Sequence, residues 1–562
     1  MNAVQIETWR HRHANRLEQA KSAISARIPW SPFDDQMPAG ILQLTAGTLG
    51  RLEQLIGTSL ALDPGHETDL SLPEHGGECS PYGPMLNIRY SVETFASQAD
   101  KALSAMRVWA SLPHTVRSSV LLECVSRLHA QTELFTQVGM HISGHSLLMA
   151  YHANAIHAQA RAIESIAHLD KLQSESRLNV EAPLQDTHNR RKLRRQFSTH
   201  PVGLSLIYTE RTLPTWNGYA SIFASLAAGC PVIVLPHPGA VLPLALTIQI
   251  IRDTLREAGL PPDILQMNAS PDSQERRAAA QHPAVRLIDY SGRRDFANWL
   301  HTNAGQARVL AQTGGSSPVI LHSTDDYHGL IRNLAFGLCS YSGQLCTSPR
   351  RLHLSTLGID TPLGTIAPEQ FGQDLTSAID QLLDEQPAPS QLLGAIVNVQ
   401  HYEHALHIPQ ERASQILRLG GPVEWPQESA ARALSPTLLL IPPSSSDAAQ
   451  DELPPPITPI YVHSNWQMLL DATKEQIVRE HALGIALYAM DTHVVEEVER
   501  LAFEHDSLLS VNFCGSYYPS QCSIFADIHG GKDPYNSGFN TPQFYSGRLK
   551  WREKREETEV SV

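Results

Sequence analysis

Val202-Gly203-Leu204-Ser205-Leu206-Ile207-Tyr208 is a nearly continuous apolar run that reads as a buried strand. A helical stretch over residues 218–228 follows it, and Pro231-Val232-Ile233-Val234-Leu235 reads as a second strand. The alternation continues with a long helix over 240–258, stopped by Gly259-Leu260-Pro261-Pro262, then strand-like Ile264-Leu265-Gln266-Met267. A helical stretch near 274–280 and a strand over 285–290 complete it. This pattern predicts an α/β fold with a parallel, doubly wound sheet. Such sheets take nucleotides at the carboxyl ends of their strands. No GxGxxG run follows these strands. The nearest substitute is Ser291-Gly292-Arg293-Arg294, a glycine at a helix N-terminus whose backbone N–H groups can face a pyrophosphate.

Upstream, residues 91–169 are helical almost throughout, with Val120, Leu121, Cys124, Val125 and Leu128 at three- and four-residue spacing. His141, His145 and His152 lie in this part without a supporting carboxylate constellation, so no metal site is expected. Residues 1–90 open with a helical pattern and become Pro/Gly-rich, as an irregular wrap on a larger body would. The polar stretch 174–198 contains Arg190-Arg191-Lys192-Leu193-Arg194-Arg195, read as a solvated strand or linker.

Downstream, residues 309–315 lead to a strand at Pro318-Val319-Ile320-Leu321 and a helix capped by Ser323 or Thr324, with Asp325 and Asp326 favourable in its first turn. That helix runs towards Ser340-Tyr341-Ser342-Gly343-Gln344-Leu345-Cys346-Thr347, where Cys346 is expected exposed on a turn, as a nucleophile would be. A second α/β pattern follows, with strand-like runs at 393–397, 438–441, 460–462 and 484–488.

Composition bounds the function. The 562 residues are 42% hydrophobic and 18% charged, as in a soluble globular enzyme, and the net charge of −14 excludes bulk electrostatic binding of nucleic acid or acidic membrane. Seven cysteines, an odd number without CxxC spacing, suggest neither a disulfide framework nor zinc, and fit a reducing cytoplasm. The N-terminus lacks the apolar core of a signal peptide, and no apolar run reaches the roughly 18 residues of a membrane span.

The ordered motifs resemble the aldehyde dehydrogenase superfamily over residues 90–540. They are Thr215-Trp216-Asn217, Gly314-Gly315, Pro318-Val319-Ile320, Gly343-Gln344-Leu345-Cys346-Thr347, and Gly530-Gly531-Lys532 with Ser537-Gly538. Trp30-Ser31-Pro32, Ser80-Pro81-Tyr82-Gly83-Pro84, Pro236-His237-Pro238 and Tyr341-Ser342 make the chain most similar to the PaaN type of phenylacetate degradation. The resemblance implies a Rossmann-type cofactor domain, an α/β catalytic domain and a strand-exchanging oligomerisation element. The corresponding boundaries are an N-terminal extension at 1–90, the cofactor domain at 91–312 and the catalytic domain at 313–510. A return segment occupies 511–540, and the oligomerisation element 184–199 with 541–562. A homodimer or homotetramer is implied.

The resemblance also assigns roles. Cys346 would add to an aldehyde, with Asn217 and the Cys346 N–H as oxyanion donors. NAD or NADP would lie along Thr215, Trp216, Leu235, Gly292, Arg293, Thr313, Gly314 and Glu452. Three positions depart from the family. Gln312 stands where the general-base glutamate belongs and cannot accept a proton from water. Leu235 replaces a ribose-binding lysine, and Arg293 replaces a pyrophosphate-contacting serine. Three readings stay open: oxidation with release of the acyl group to coenzyme A or to water by another base; non-redox acyl transfer, with an acyl-CoA as partner; and a binding or scaffold protein that keeps the fold. Trp216, Tyr219 and Tyr341 suit an aromatic or ring-derived aldehyde and equally suit packing.

Overall fold

The computed structural model describes residues 1–44, 48–62, 74–176, 179–183, 191–385, 389–423, 430–443, 453–514 and 541–559. Its first large sheet is the one expected. Five parallel strands run in the order Arg308–Thr313, Val285–Gly292, Leu204–Tyr208, Val232–Leu235, Leu265–Met267. Numbered along the chain, that order is 5-4-1-2-3, so the winding reverses between Leu204–Tyr208 and Val285–Gly292. All five residues of Leu204–Tyr208 are buried, which is why the run lacks polar alternation. The helices between strands, Pro214–Ala228, Leu242–Glu257, Ser273–Gln281 and Arg294–Asn303, lie within four residues of their expected bounds where bounds were expected.

The second sheet has seven strands in the order Ile416–Arg418, Thr437–Ile441, Ile457–His463, Pro349–Ser355, Ser317–Leu321, Gly484–Tyr488, Leu508–Val511. It is parallel except where Ile416–Arg418 pairs antiparallel with Thr437–Ile441. The run 393–397, expected as a strand, forms only an isolated bridge at Ala395. Its backbone is committed elsewhere: Ala395 N donates to Gly144 O at 2.8 Å and Ile396 N to Arg432 O at 2.6 Å.

The polar stretch is strand rather than linker. Asn179–Pro183, Arg191–Pro201 and Leu549–Glu559 form an antiparallel sheet, in register from Leu549 opposite Pro201 to Glu559 opposite Arg191. The N-terminal segment does more than wrap. Helix Ala3–Ala26 buries Ile6 and Trp9 in the main core, and His13 Nε2 lies 2.9 Å from Glu123 Oε2 in the helical domain. The C-terminal end is tied to the first sheet by Arg548, fully buried, whose Nη2 sits 2.6 Å from the equally buried Asp289. Among the described residues no helix is long and apolar enough to cross a membrane.

Candidate active site

Helix Tyr327–Cys339 is capped by Asp326, which accepts from Gly329 N at 2.8 Å. Ser323 does not cap it, because its hydroxyl accepts from Met490 N at 2.8 Å. The helix delivers the chain into a turn where Tyr341 and Ser342 adopt φ of 53° and 50°, a region that non-glycine residues seldom occupy. Surrounding contacts sustain it. Tyr341 N donates to Leu392 O at 2.9 Å and its hydroxyl to Ser143 O; Ser342 Oγ donates to Gly394 O at 2.9 Å. Gln344 then fastens the loop to the segment after Gly394, donating to Ala395 O at 3.1 Å and accepting from Val397 N at 3.0 Å.

Cys346 follows this anchored turn and is half-buried, less open than expected because the loop is held from both sides. Ser317 Oγ, at the start of the strand that precedes helix Tyr327–Cys339, donates to Cys346 O at 3.4 Å. Burial pushes the thiol up to about 12, with the charge of Glu210 adding to the shift and its own and Thr347 backbone N–H groups opposing it. At neutral pH Cys346 therefore rests as a thiol and needs a proton acceptor.

Asn217 sits in the first turn of helix Pro214–Ala228, with Pro214 at the helix start. Its Nδ2 donates to Glu210 Oε1 at 2.6 Å. Glu210 was not among the expected site residues. It lies two residues beyond the first strand, at the carboxyl edge where the winding reverses, and this position is the signal that could have found it. Burial raises its carboxyl to about 7 against the hydrogen bonds from Asn217 and the Leu213 N–H. Its charge is felt by Cys346, Tyr290 and Tyr341. Glu210 thus links Asn217, through the hydrogen bond, with Cys346, through its charge.

Gln312, next to last in its strand, pairs with Ser291, whose hydroxyl donates to Gln312 Oε1 at 3.3 Å. Gln312 Nε2 is buried without a partner among the described residues. Thr313 pairs with Gly292, and beyond it Gly314 has nothing within 4 Å of where a Cβ would stand. Open space at Gly314, the unpartnered Gln312 amide and a carboxyl edge at a winding reversal fit a dinucleotide.

Several expected contacts lie differently. Thr215 is fully buried with its hydroxyl 2.8 Å from Asn154 Oδ1, and Trp216 is covered by the Arg161 guanidinium at 3.7 Å. Leu235 is buried in the sheet core. Arg276, also unanticipated, reaches the carbonyls of Leu235 and Pro236 at 3.2 and 2.9 Å, bringing a cation to the end of strand Val232–Leu235. Arg293 precedes helix Arg294–Asn303 with its side chain in solvent beside Asp295. Tyr219 and Tyr341 are buried, their hydroxyls bonded to Thr247 and Ser143, so these rings serve packing. Glu452 and the motif at 530–538 lie outside the described residues. Among the described residues no group of three or more His, Cys, Asp or Glu could hold a metal ion.

Known proteins are similar to this chain in sequence and fold. An NAD-dependent aldehyde dehydrogenase from Burkholderia multivorans superposes with a TM-score of 0.87 at 28% identity, covering 98% of this chain and 99% of that one. A peroxisomal aminoaldehyde dehydrogenase 2 of Malus domestica is 29% identical over 163 residues, 28% of this chain and 32% of that protein. Salicylaldehyde dehydrogenase of Pseudomonas putida is 27% identical over 264 residues, 45% of this chain and 51% of that enzyme. The chain thus spans about a third to a half of these curated relatives. Residues 88–479, more than half of the chain, match the aldehyde dehydrogenase family throughout. Cys346 and Asn217 stand inside that span, and the chain belongs to the aldehyde dehydrogenase family.

Proposed function

We propose that the protein oxidises an aldehyde with NAD or NADP through a covalent adduct on Cys346. The observation that carries this reading is Asn217, held by Glu210 at the carboxyl edge of the five-stranded sheet, with the charge of Glu210 reaching Cys346. As the thiol adds to the carbonyl carbon, its proton passes to solvent water and negative charge develops on the carbonyl oxygen. The second Nδ2 proton of Asn217 and the Cys346 N–H are the donors for that charge. Gly292, Thr313 and Gly314, with Gln312 beside them, would hold the dinucleotide, and a bound nicotinamide supplies the hydride acceptor. The acyl group is held on Cys346 as a thioester until water or a thiol such as coenzyme A takes it.

The finer reading is an aromatic or ring-derived aldehyde of phenylacetate-type metabolism. It is supported by the PaaN-like motifs and by the similarity to a salicylaldehyde dehydrogenase. Assembly as a homodimer or homotetramer is supported by the long edge strand Leu549–Glu559, which carries the half-exposed Trp551.

Fluorescence titration with NADH and NADPH, followed by aldehyde-dependent nucleotide reduction, tests the reading. Nucleotide binding and turnover are expected, with turnover lost and binding kept in Cys346→Ala. No nucleotide binding at millimolar concentration would overturn it.

A further inference from the structure

We propose that Glu210 is the general base that releases the acyl group from Cys346, in place of the glutamate the family carries where this chain has Gln312. The inference deepens the reading above and rests on it.

Three observations converge. First, the usual position is spent: Gln312 Oε1 accepts from Ser291 Oγ at 3.3 Å, and its Nε2 can only donate, so Gln312 can hold a water by its oxygen but cannot deprotonate it. Second, Glu210 is a half-buried carboxylate fixed within the site by Asn217 Nδ2 at 2.6 Å, next to the oxyanion donors. Third, the groups that face it leave its charge unneutralised. Cys346, Tyr290 and Tyr341 feel it and carry no positive charge, while the adjacent Arg211 is turned away, with Nε on Ile142 O and Nη2 on Cys79 O, each at 3.0 Å. A carboxyl titrating at about 7 is suited to accept a proton at neutral pH.

The step balances. Water oxygen bonds to the thioester carbonyl carbon while one water proton passes to Glu210. The negative charge leaves the carboxylate and appears on the carbonyl oxygen, where Asn217 and the Cys346 N–H receive it. Collapse breaks the carbon–sulfur bond, releases the acid and expels the Cys346 thiolate, which takes back the proton from Glu210. The carboxylate is neutral while its neighbour is an oxyanion, so one asparagine serves both without the two charges coexisting.

The test needs no nucleotide. p-Nitrophenyl acetate acylates the cysteine, the nitrophenolate burst counts working sites, and the steady state reports deacylation. In wild type, deacylation is expected to rise about tenfold per pH unit and level off above about 7. Glu210→Gln should keep a burst and deacylate roughly 10²–10⁴-fold more slowly, without the inflection. Glu210→Asp should keep the inflection at a reduced rate, and Glu210→Gln combined with Gln312→Glu should recover deacylation. Deacylation of Glu210→Gln within about threefold of wild type, or a wild-type profile flat from about pH 5.5 to 8.5, would overturn the role of Glu210 alone. A wild-type enzyme with no burst would overturn the Cys346 reading and this inference with it.

Discussion

Asn217 Nδ2 lies 2.6 Å from Glu210 Oε1, so the amide that is to stabilise an oxyanion already donates to a carboxylate. That contact fixes the amide's orientation, points one N–H at Glu210 and leaves the second for the proposed oxyanion. It also couples the two groups: the Asn217 hydrogen bond is one of the influences that hold the Glu210 carboxyl down to about 7.

Asn217→Ala removes both services at once. Acylation and aldehyde turnover should fall by about 10²–10³-fold, the loss of one oxyanion donor. The inflection in the pH–rate profile should move above about 7, because Glu210 loses a donor to its charged form. Stopped-flow kinetics across the pH range measures both; an unmoved inflection would separate Glu210 from Asn217.

Glu210 is held at a cost to stability. Its folded value of about 7 lies above the ordinary 4.5, so its favourable contribution is complete below 4.5 and is lost as pH rises through 7. Glu210→Gln should therefore gain stability over wild type across that window, by roughly 2 kcal/mol at its upper end. Urea denaturation near pH 5 and pH 8 compares the two, and the gain should appear at the higher pH.

The cysteine turn depends on a close approach at Gly394. A Cβ there would stand 2.3 Å from Tyr341 Cδ2 and 2.6 Å from Gly144 O. Gly394→Ala should displace the turn that aims Cys346 and slow acylation by at least about tenfold, since small misplacements of reacting groups are magnified in rate. Circular dichroism should show the fold retained.

Arg548 and Asp289 are a fully buried pair joining the C-terminal segment to the first sheet. Arg548→Ala leaves Asp289 buried and unpaired, and should destabilise the protein by about 3–5 kcal/mol. Arg548→Met with Asp289→Asn should recover much of that loss, measured by thermal unfolding.

Much of the architecture was legible because its causes are local. Leu204–Tyr208 and Val232–Leu235 are buried on both faces and show it as apolar runs. From its own residues Arg191–Pro201 read only as a solvated strand or linker, because its partner, Leu549–Glu559, lies about 350 residues away; only the resemblance joined it to 541–562. The run 393–397 looked like a strand because it is apolar, yet its backbone docks onto the cysteine turn. Cys346 and Asn217 were readable as motifs. Glu210 and Arg276 were not, since each is one charged residue whose importance arises from the strand ends it meets in space.

Intact-protein and peptide mass spectrometry after rapid acid quench of the p-nitrophenyl acetate reaction tests the central claim, that Cys346 carries the acyl group. One acetyl group per chain on the Cys346 peptide is expected, absent in Cys346→Ala and longer-lived in Glu210→Gln. An acetyl group on another residue, or persistence of the burst in Cys346→Ala, would contradict it.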